Sequence, residues 1–277
     1  MGKKDKRQEL PPVPEALAAA AVDSHTHLDA CGAKTAEDVR AMVDRAQSAG
    51  VGRVVTVADD LDSARWAVEA ATWDERVFAA VALHPTRTKD FSADDRAALE
   101  ELVAHPRVVA VGETGLDYYW DYSPPEPQQE AFRWHIGLAK RTGKPLMIHD
   151  REAHDDILRI LDEEGAPEKV VFHCFSGDAE FAKSCVAKGY VLSFAGTATF
   201  RNAKSLREAA ESVPLEQMLV ETDAPFLTPH PFRGRPNQPY CVNYTLRDLA
   251  ELRGMTVDEL AVATTATAER VFGLDQG

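Results

Sequence analysis

Eight apolar runs recur along the chain, each followed by an amphipathic stretch, and this alternation constrains the fold more than any other feature. The runs are AAVDSHTH, GRVVTVAD, VFAAVALH, VVAVGETG, KPLMIHD, KVVFHCFS, YVLSFAGT and QMLVETDA. Several are apolar almost without a break, as strands covered on both faces must be. Helical patterns are expected between them at 36–49, 62–73, 92–104, 127–142, 152–164, 178–188 and 202–211, with two more near 241–253 and 256–270. In 127–142, Phe132, Ile136 and Ala139 share one face at i, i+4 and i+7. Eight strands alternating with helices predict an α/β fold, a (β/α)8 TIM barrel. An open, doubly wound sheet is the competing architecture, but no G-x-G-x-x-G follows the first run.

A chain of 277 residues suits one such barrel. No repeat, low-complexity block or Gly/Ser linker divides it, so residues 21–277 are read as a single domain and residues 1–20 as a flexible tail. MGKKDKR followed by ALAAAAV loosely resembles a signal peptide, but Glu9, Pro11, Pro12, Pro14 and Glu15 interrupt it. Lys6 stands where a myristoylation pattern needs Ser or Thr. No apolar run approaches the roughly 20 residues that span a bilayer. A cytoplasmic location is therefore expected, with no membrane partner and no obligate protein partner. Cys31, Cys174, Cys185 and Cys241 form no C-x-x-C pair and read as buried free thiols. The net charge of −14 argues against a protein that coats duplex DNA. It leaves room for an enzyme that meets phosphate through cations in one cleft.

Polar residues collect at the ends of the runs. His25 and His27 end the first, His84 the third, Glu113 the fourth, His149 the fifth and His173 the sixth, while Glu221 and Asp223 end the eighth. On a strand, residues i and i+2 point to the same side, so His25 and His27 converge. Two histidines at that spacing are common by chance. In a barrel, however, the C-terminal strand ends form one rim, and five of them here deliver His, His, Glu, His, His and Asp to it. Six such ligands exceed the three that a catalytic zinc usually takes. They suit two divalent cations sharing a carboxylate. Position alone assigns His25, His27 and Asp223 to one ion, His149 and His173 to the other, and Glu113 as the bridge. Mixed imidazole and carboxylate ligands favour Zn²⁺ or Mn²⁺ over Mg²⁺.

Other residues near the rim are candidates for substrate contact. Arg151 is placed to meet an anion, or else pairs with Glu152 or Asp155. Arg201 lies in GTATFRN, where barrels often hold phosphate; Arg233 and Arg235 are weaker candidates. Tyr119 belongs to DYYWDY, four aromatics in six positions, which either stack bases or cover the barrel rim. His84 touches substrate or ligands, or else caps its strand through a backbone bond. Glu221 stands behind the ligands or packs the barrel.

Seven motifs in order, DSHTHLD, VALHP, VGETGLDYY, IHDRE, VFHCFSG, SFAGTATFRNA and VETDAPFLTP, make the chain resemble the TatD family of metal-dependent hydrolases from about residue 22 to 272. The resemblance implies an amidohydrolase-like barrel with ligands at His25, His27, Glu113, His149, His173 and Asp223. Many related barrels use a modified lysine at the end of strand four, and Glu113 there points to this branch. It also implies a deoxyribonuclease, trimming single-stranded DNA ends from 3′ to 5′. Some relatives are associated instead with removing D-amino acids from mischarged tRNA, so an ester or amide hydrolase on the same site is the alternative. The expected chemistry is attack on phosphorus by a hydroxide that the two cations activate, with Asp223 and Glu113 as catalytic carboxylates. Departures from the family pattern are RGRPNQP at 233–239, where Pro236 replaces a basic and Gln238 an acidic residue, His135 for a common Gln, and Thr114 for Ile.

Overall fold

The structure is a computed structural model and describes residues 9–274. Eight strands follow the eight runs: β1 (Ala21–Thr26), β2 (Val51–Val57), β3 (Val77–Val81), β4 (Val108–Asp117), β5 (Leu146–Arg151), β6 (Val170–Phe172), β7 (Val191–Phe194) and β8 (Met218–Val220). Each pairs in parallel with the next, in the order β1 to β8. A bridge between Thr26 and Ala224 brings the first and last strands together. There the His27 N–H donates to the Ala224 carbonyl at 2.8 Å and the Asp223 N–H to the His25 carbonyl at 2.9 Å. The fold is thus a (β/α)8 barrel, and the open sheet is ruled out by this seam.

Helices α1 (Ala36–Ser48), α2 (Leu61–Trp73), α3 (Ala93–Val103), α4 (Pro125–Thr142), α5 (His154–Glu164), α6 (Ala179–Ala187) and α7 (Lys204–Ser212) each follow one strand, and α8 (Val242–Arg253) and α9 (Val257–Phe272) follow β8. Four begin with reciprocal capping boxes, Thr35 with Asp38, Asp60 with Ser63, Ser92 with Asp95 and Thr256 with Glu259. Such a cap typically contributes ~1 kcal/mol and fixes where the helix starts.

The strands alternate between two apolar layers. Val54, Val77, Ile148, Phe172, Leu192 and Val220 pack outward with the helices. Val55, Phe78, Met147, Val171, Val191 and Leu219 form a separate inner cluster, which the end of α9 joins through Val271 and Phe272. The inner set carries the chemistry. Two residues beyond Met147, Val171 and Leu219 stand His149, His173 and Glu221, still on the inner face. Strands β4 and β5 come unusually close. Gly115 has φ +138°, and a Cβ there would lie 2.1 Å from the His149 carbonyl oxygen.

Residues 9–20, part of the segment read as a tail, lie against the barrel; residues 1–8 lie outside the described residues. The segment has no helix or strand, yet its carbonyls are taken up by α8 and the short turn before it. Tyr240 donates to Pro11, Tyr244 to Pro12 at 2.8 Å and Asn243 to Glu15 at 3.0 Å. Leu17 is buried, and the Ala18 N–H donates to Asp258 at 3.0 Å. Prolines that cannot donate still offer carbonyls, and this segment uses them. The four cysteines are free; Cys185 and Cys241 are buried, whereas Cys31 and Cys174 are only half-buried, because both lie at the strand-end rim. No helix among the described residues is long and apolar enough to cross a membrane.

Candidate metal centre

Two groups of donor atoms converge at the mouth and share one carboxylate. In the first, His25 Nε2 and His27 Nε2 are 3.2 Å apart. Glu113 Oε1 lies 3.5 Å from each. Asp223 Oδ1 lies 3.7 Å from His25 and 3.4 Å from His27. Four ligands about a cation at 2.0–2.2 Å have tetrahedral edges of roughly 3.3–3.6 Å. The five edges of 3.2–3.7 Å that join His25 to His27, and both of these to Glu113 and Asp223, are close to that spacing. In the second, Glu113 Oε2 lies 3.2 Å from His149 Nδ1 and 2.7 Å from His173 Nε2, and the two imidazole nitrogens are 3.3 Å apart. Thus Glu113 places one oxygen in each group. The His25 and His173 rings stack at 3.9 Å, so the groups are adjacent.

Each imidazole is held from behind. His25 Nδ1 meets Met147 Sδ at 3.2 Å, His27 Nδ1 the Val57 carbonyl at 2.9 Å, and His149 Nε2 the Asp117 Oδ2 at 2.9 Å. His173 Nδ1 lies 3.2 Å from Glu221 Oε1, which also accepts the Cys174 N–H at 2.8 Å. Contacts of this kind orient a ligating imidazole and fix its tautomer. Glu221 accordingly stands behind His173, with its other oxygen buried and unpartnered. Asp23 does the same for the backbone: it accepts the Thr222 N–H at 2.8 Å and the Thr222 hydroxyl at 2.6 Å, tying β1 to the segment that carries Asp223.

The site is electrostatically dense. Burial would push the Glu113 carboxyl up, but His173, His25 and His84 prevail and hold it well below the carboxylate range. Burial opposes a proton on His27, yet Asp223, Asp59 and Glu113 lift its pKa to about 10. Burial and then His173 push His25 down. Without a cation, protons on the imidazoles offset the carboxylates; a bound cation would displace them. Asp223 is the carboxylate of the first group that faces outward: its side chain is 14% exposed against 3% for Glu113.

His84 makes one contact with the backbone and one with a donor histidine. Its Nδ1 accepts the Thr86 N–H at 3.2 Å, capping a short 3-10 turn, and its Nε2 reaches to 3.3 Å from His149 Nδ1. Arg151 is exposed and makes no ion pair with Glu152 or Asp155 among the described residues; its guanidinium lies over the Tyr119 ring at 3.8 Å. Tyr119 is an exposed rim residue, not a member of the donor groups. Arg201 is exposed in a turn before α7 and is not brought to the site by any hydrogen bond or ion pair among the described residues. Asp117 and Asp23 receive no role from the sequence alone. Both lie an even number of strand positions from a chosen residue, Asp117 four past Glu113 and Asp23 two before His25, and that spacing is the signal that finds them. In the altered RGRPNQP stretch, Gln238 accepts from Arg45 at 2.7 Å, and Asn237 donates to the carbonyls of Thr222 and Phe226.

Comparison with known proteins gives a consistent result. The family described as TatD related DNase matches residues 22–273. A Mycobacterium tuberculosis protein named as an uncharacterized metal-dependent hydrolase TatD is 60% identical, over 91% of this chain and 98% of its own. An Erwinia amylovora protein named 3′-5′ ssDNA/RNA exonuclease TatD is 35% identical, over 86% of this chain and 95% of its own. The crystal structure of YjjV, a TatD homologue from Escherichia coli, superposes with TM-score 0.85 at 32% identity, covering 91% of this chain and 98% of that one.

Proposed function

The chain belongs to the TatD-related DNase family of metal-dependent hydrolases, and from that premise we propose that it hydrolyses phosphodiester bonds at single-stranded DNA ends, from 3′ to 5′, with two divalent cations. The observation that carries this reading is Glu113, which offers one oxygen to each donor group. A carboxylate so placed could serve two cations at once, and such a pair would supply charge stabilisation to the attacking and leaving oxygens of a phosphoryl displacement. The exonuclease name of the Erwinia relative supports the substrate class.

His25, His27 and Asp223 would hold one cation, His149 and His173 the other, and Glu113 both. Imidazole-rich donors favour Zn²⁺ or Mn²⁺. When bound, such cations supply Lewis acidity and make water a better nucleophile at neutral pH. The chain's residues do the rest. Asp223, outward-facing and held below the usual carboxylate range by its bond to His27 against the effect of burial, orients the attacking water and accepts its proton. Glu221 and Asp117 keep His173 and His149 aimed.

The test refills metal-free protein with Zn²⁺, Mn²⁺ or Mg²⁺ and supplies end-labelled single-stranded DNA and, separately, D-aminoacyl-tRNA. Wild type should shorten the DNA from its 3′ end. Asp223→Asn and Glu113→Gln should lose about 100-fold or more in rate. Cleavage that persists in both variants, or deacylation without DNA cleavage, overturns the reading.

A further inference from the structure

Seven large hydrophobic side chains are exposed among the described residues, and the four aromatic ones, Tyr119, Trp120, Tyr122 and Phe226, all stand on loops at the mouth. Single exposed apolar residues need no explanation, but rings gathered on one rim do. Three follow β4. Tyr119 and Trp120 meet edge to face at 4.9 Å, and Trp120 and Tyr122 stack at 5.6 Å with 22° between their planes. Phe226 stands on the other side, after β8, with its ring 6.3 Å from that of His27.

A cation sits within this rim. The Arg151 guanidinium lies 3.8 Å from the Tyr119 ring centre and 5.7 Å from that of Trp120. No carboxylate pairs with it among the described residues, although the chain carries a net charge of −14. Stacked on rings, a guanidinium keeps its planar donors free for phosphate oxygens.

The rim is also braced to the hydrolytic centre. Asp117 Oδ1 accepts the N–H groups of Tyr119 and Trp120 at 3.0 and 2.9 Å, while its Oδ2 accepts from His149. Buried Gln128 accepts the Asp117 N–H at 2.8 Å and donates to the carbonyls of Asp117 and Ser123 at 2.9 and 2.8 Å. On the far side, Asn237 donates to the carbonyl of Phe226. Both walls are thus held before a ligand arrives, which lowers the ordering cost of binding.

We infer that these walls read the unpaired nucleotides of a single strand: Trp120 and Tyr122 stack bases away from the cut, Arg151 takes a phosphate between them, and Phe226 faces the base nearest the cations. Aromatic faces bind any unpaired base, whereas bases in a duplex already have both faces stacked. The inference rests on the reading that the substrate is a single-stranded nucleic-acid end, and it adds which residues outside the donor groups select that end.

The experiment measures binding of a fluorescein-labelled thymidine oligomer to the metal-free full chain by anisotropy, so no cleavage is needed. Trp120→Ala and Phe226→Ala should each weaken binding about five-fold or more. Trp120→Phe, which keeps a ring, should recover most of the loss, separating stacking from loop damage. Arg151→Gln should reduce the slope of log affinity against log salt by about 0.7, the value for one phosphate of a single strand. The same oligomer annealed to its complement should compete poorly. Alanine variants that bind like wild type, a duplex that competes as well as the single strand, or no binding by wild type overturns the inference. A chain that binds through this rim yet leaves DNA intact when metal-loaded overturns the proposed hydrolysis and leaves the rim standing.

Discussion

Asp117 performs two tasks at once, one with each oxygen, and so sits where a single substitution reaches furthest. An asparagine offers only one oxygen and turns an amide N–H toward either His149 or the loop. Asp117→Asn should lower divalent-cation affinity about 10–100-fold, the usual effect of losing a partner behind a ligating imidazole, as read by chelator competition. His135 is a second informative residue. It is wholly buried and neutral: its Nε2 accepts the Leu83 N–H at 3.2 Å, and its Nδ1 donates to the Ala131 carbonyl at 2.7 Å. Burial pushes its pKa down to about 4. The unfolded chain then binds a proton between pH ~6.5 and ~4 that the folded chain refuses, so this residue's contribution is present above pH ~6.5 and is lost as pH falls toward 4. His135→Gln removes the group. The stability of wild type relative to this variant should fall by on the order of 3 kcal/mol between pH 7 and pH 4, measured from denaturant midpoints.

At the level of elements, the closeness of β4 and β5 sets the distance between Glu113 and His149. Gly115→Ala would press a methyl group onto the His149 carbonyl at a φ that side chains rarely adopt. It should destabilise the chain by about 2 kcal/mol or more in chemical denaturation and weaken cation binding in the same variant. The elements themselves were legible in the sequence, because parallel strands buried on both faces leave unbroken apolar runs and the helices carry capping pairs such as Thr35 with Asp38. The meeting of His25, His27, Glu113, His149, His173 and Asp223 was legible for a topological reason: strand ends of one barrel share one rim. What the sequence did not disclose are relations set by side-chain direction or by contact between distant parts. The bond from Asp117 to His149, the dual engagement of His84 and the seating of Arg151 on Tyr119 depend on rotamers. The anchoring of residues 9–20 depends on donors in α8 and the turn before it, more than 200 positions away.

For the molecule as a whole, the donor groups and the barrel share their stability. Cations bound by the imidazoles and carboxylates at the mouth would bind only the folded state, and such a ligand stabilises that state by mass action. Free Zn²⁺ at about 100 times its dissociation constant should add ~2.7 kcal/mol, seen as a rise in Tm over chelator-treated protein. Deleting residues 1–19 should lower Tm even in chelator, since it strips bonds from α8 and α9 without touching the donor groups. The seam between Thr26 and Ala224 has a further effect. The first imidazoles leave the ribosome early, but the carboxylate that completes their group arrives with the last strand. A chain not yet synthesised past Asp223 therefore lacks a complete donor group, and whatever this protein hydrolyses is safe from it until β8 has been made.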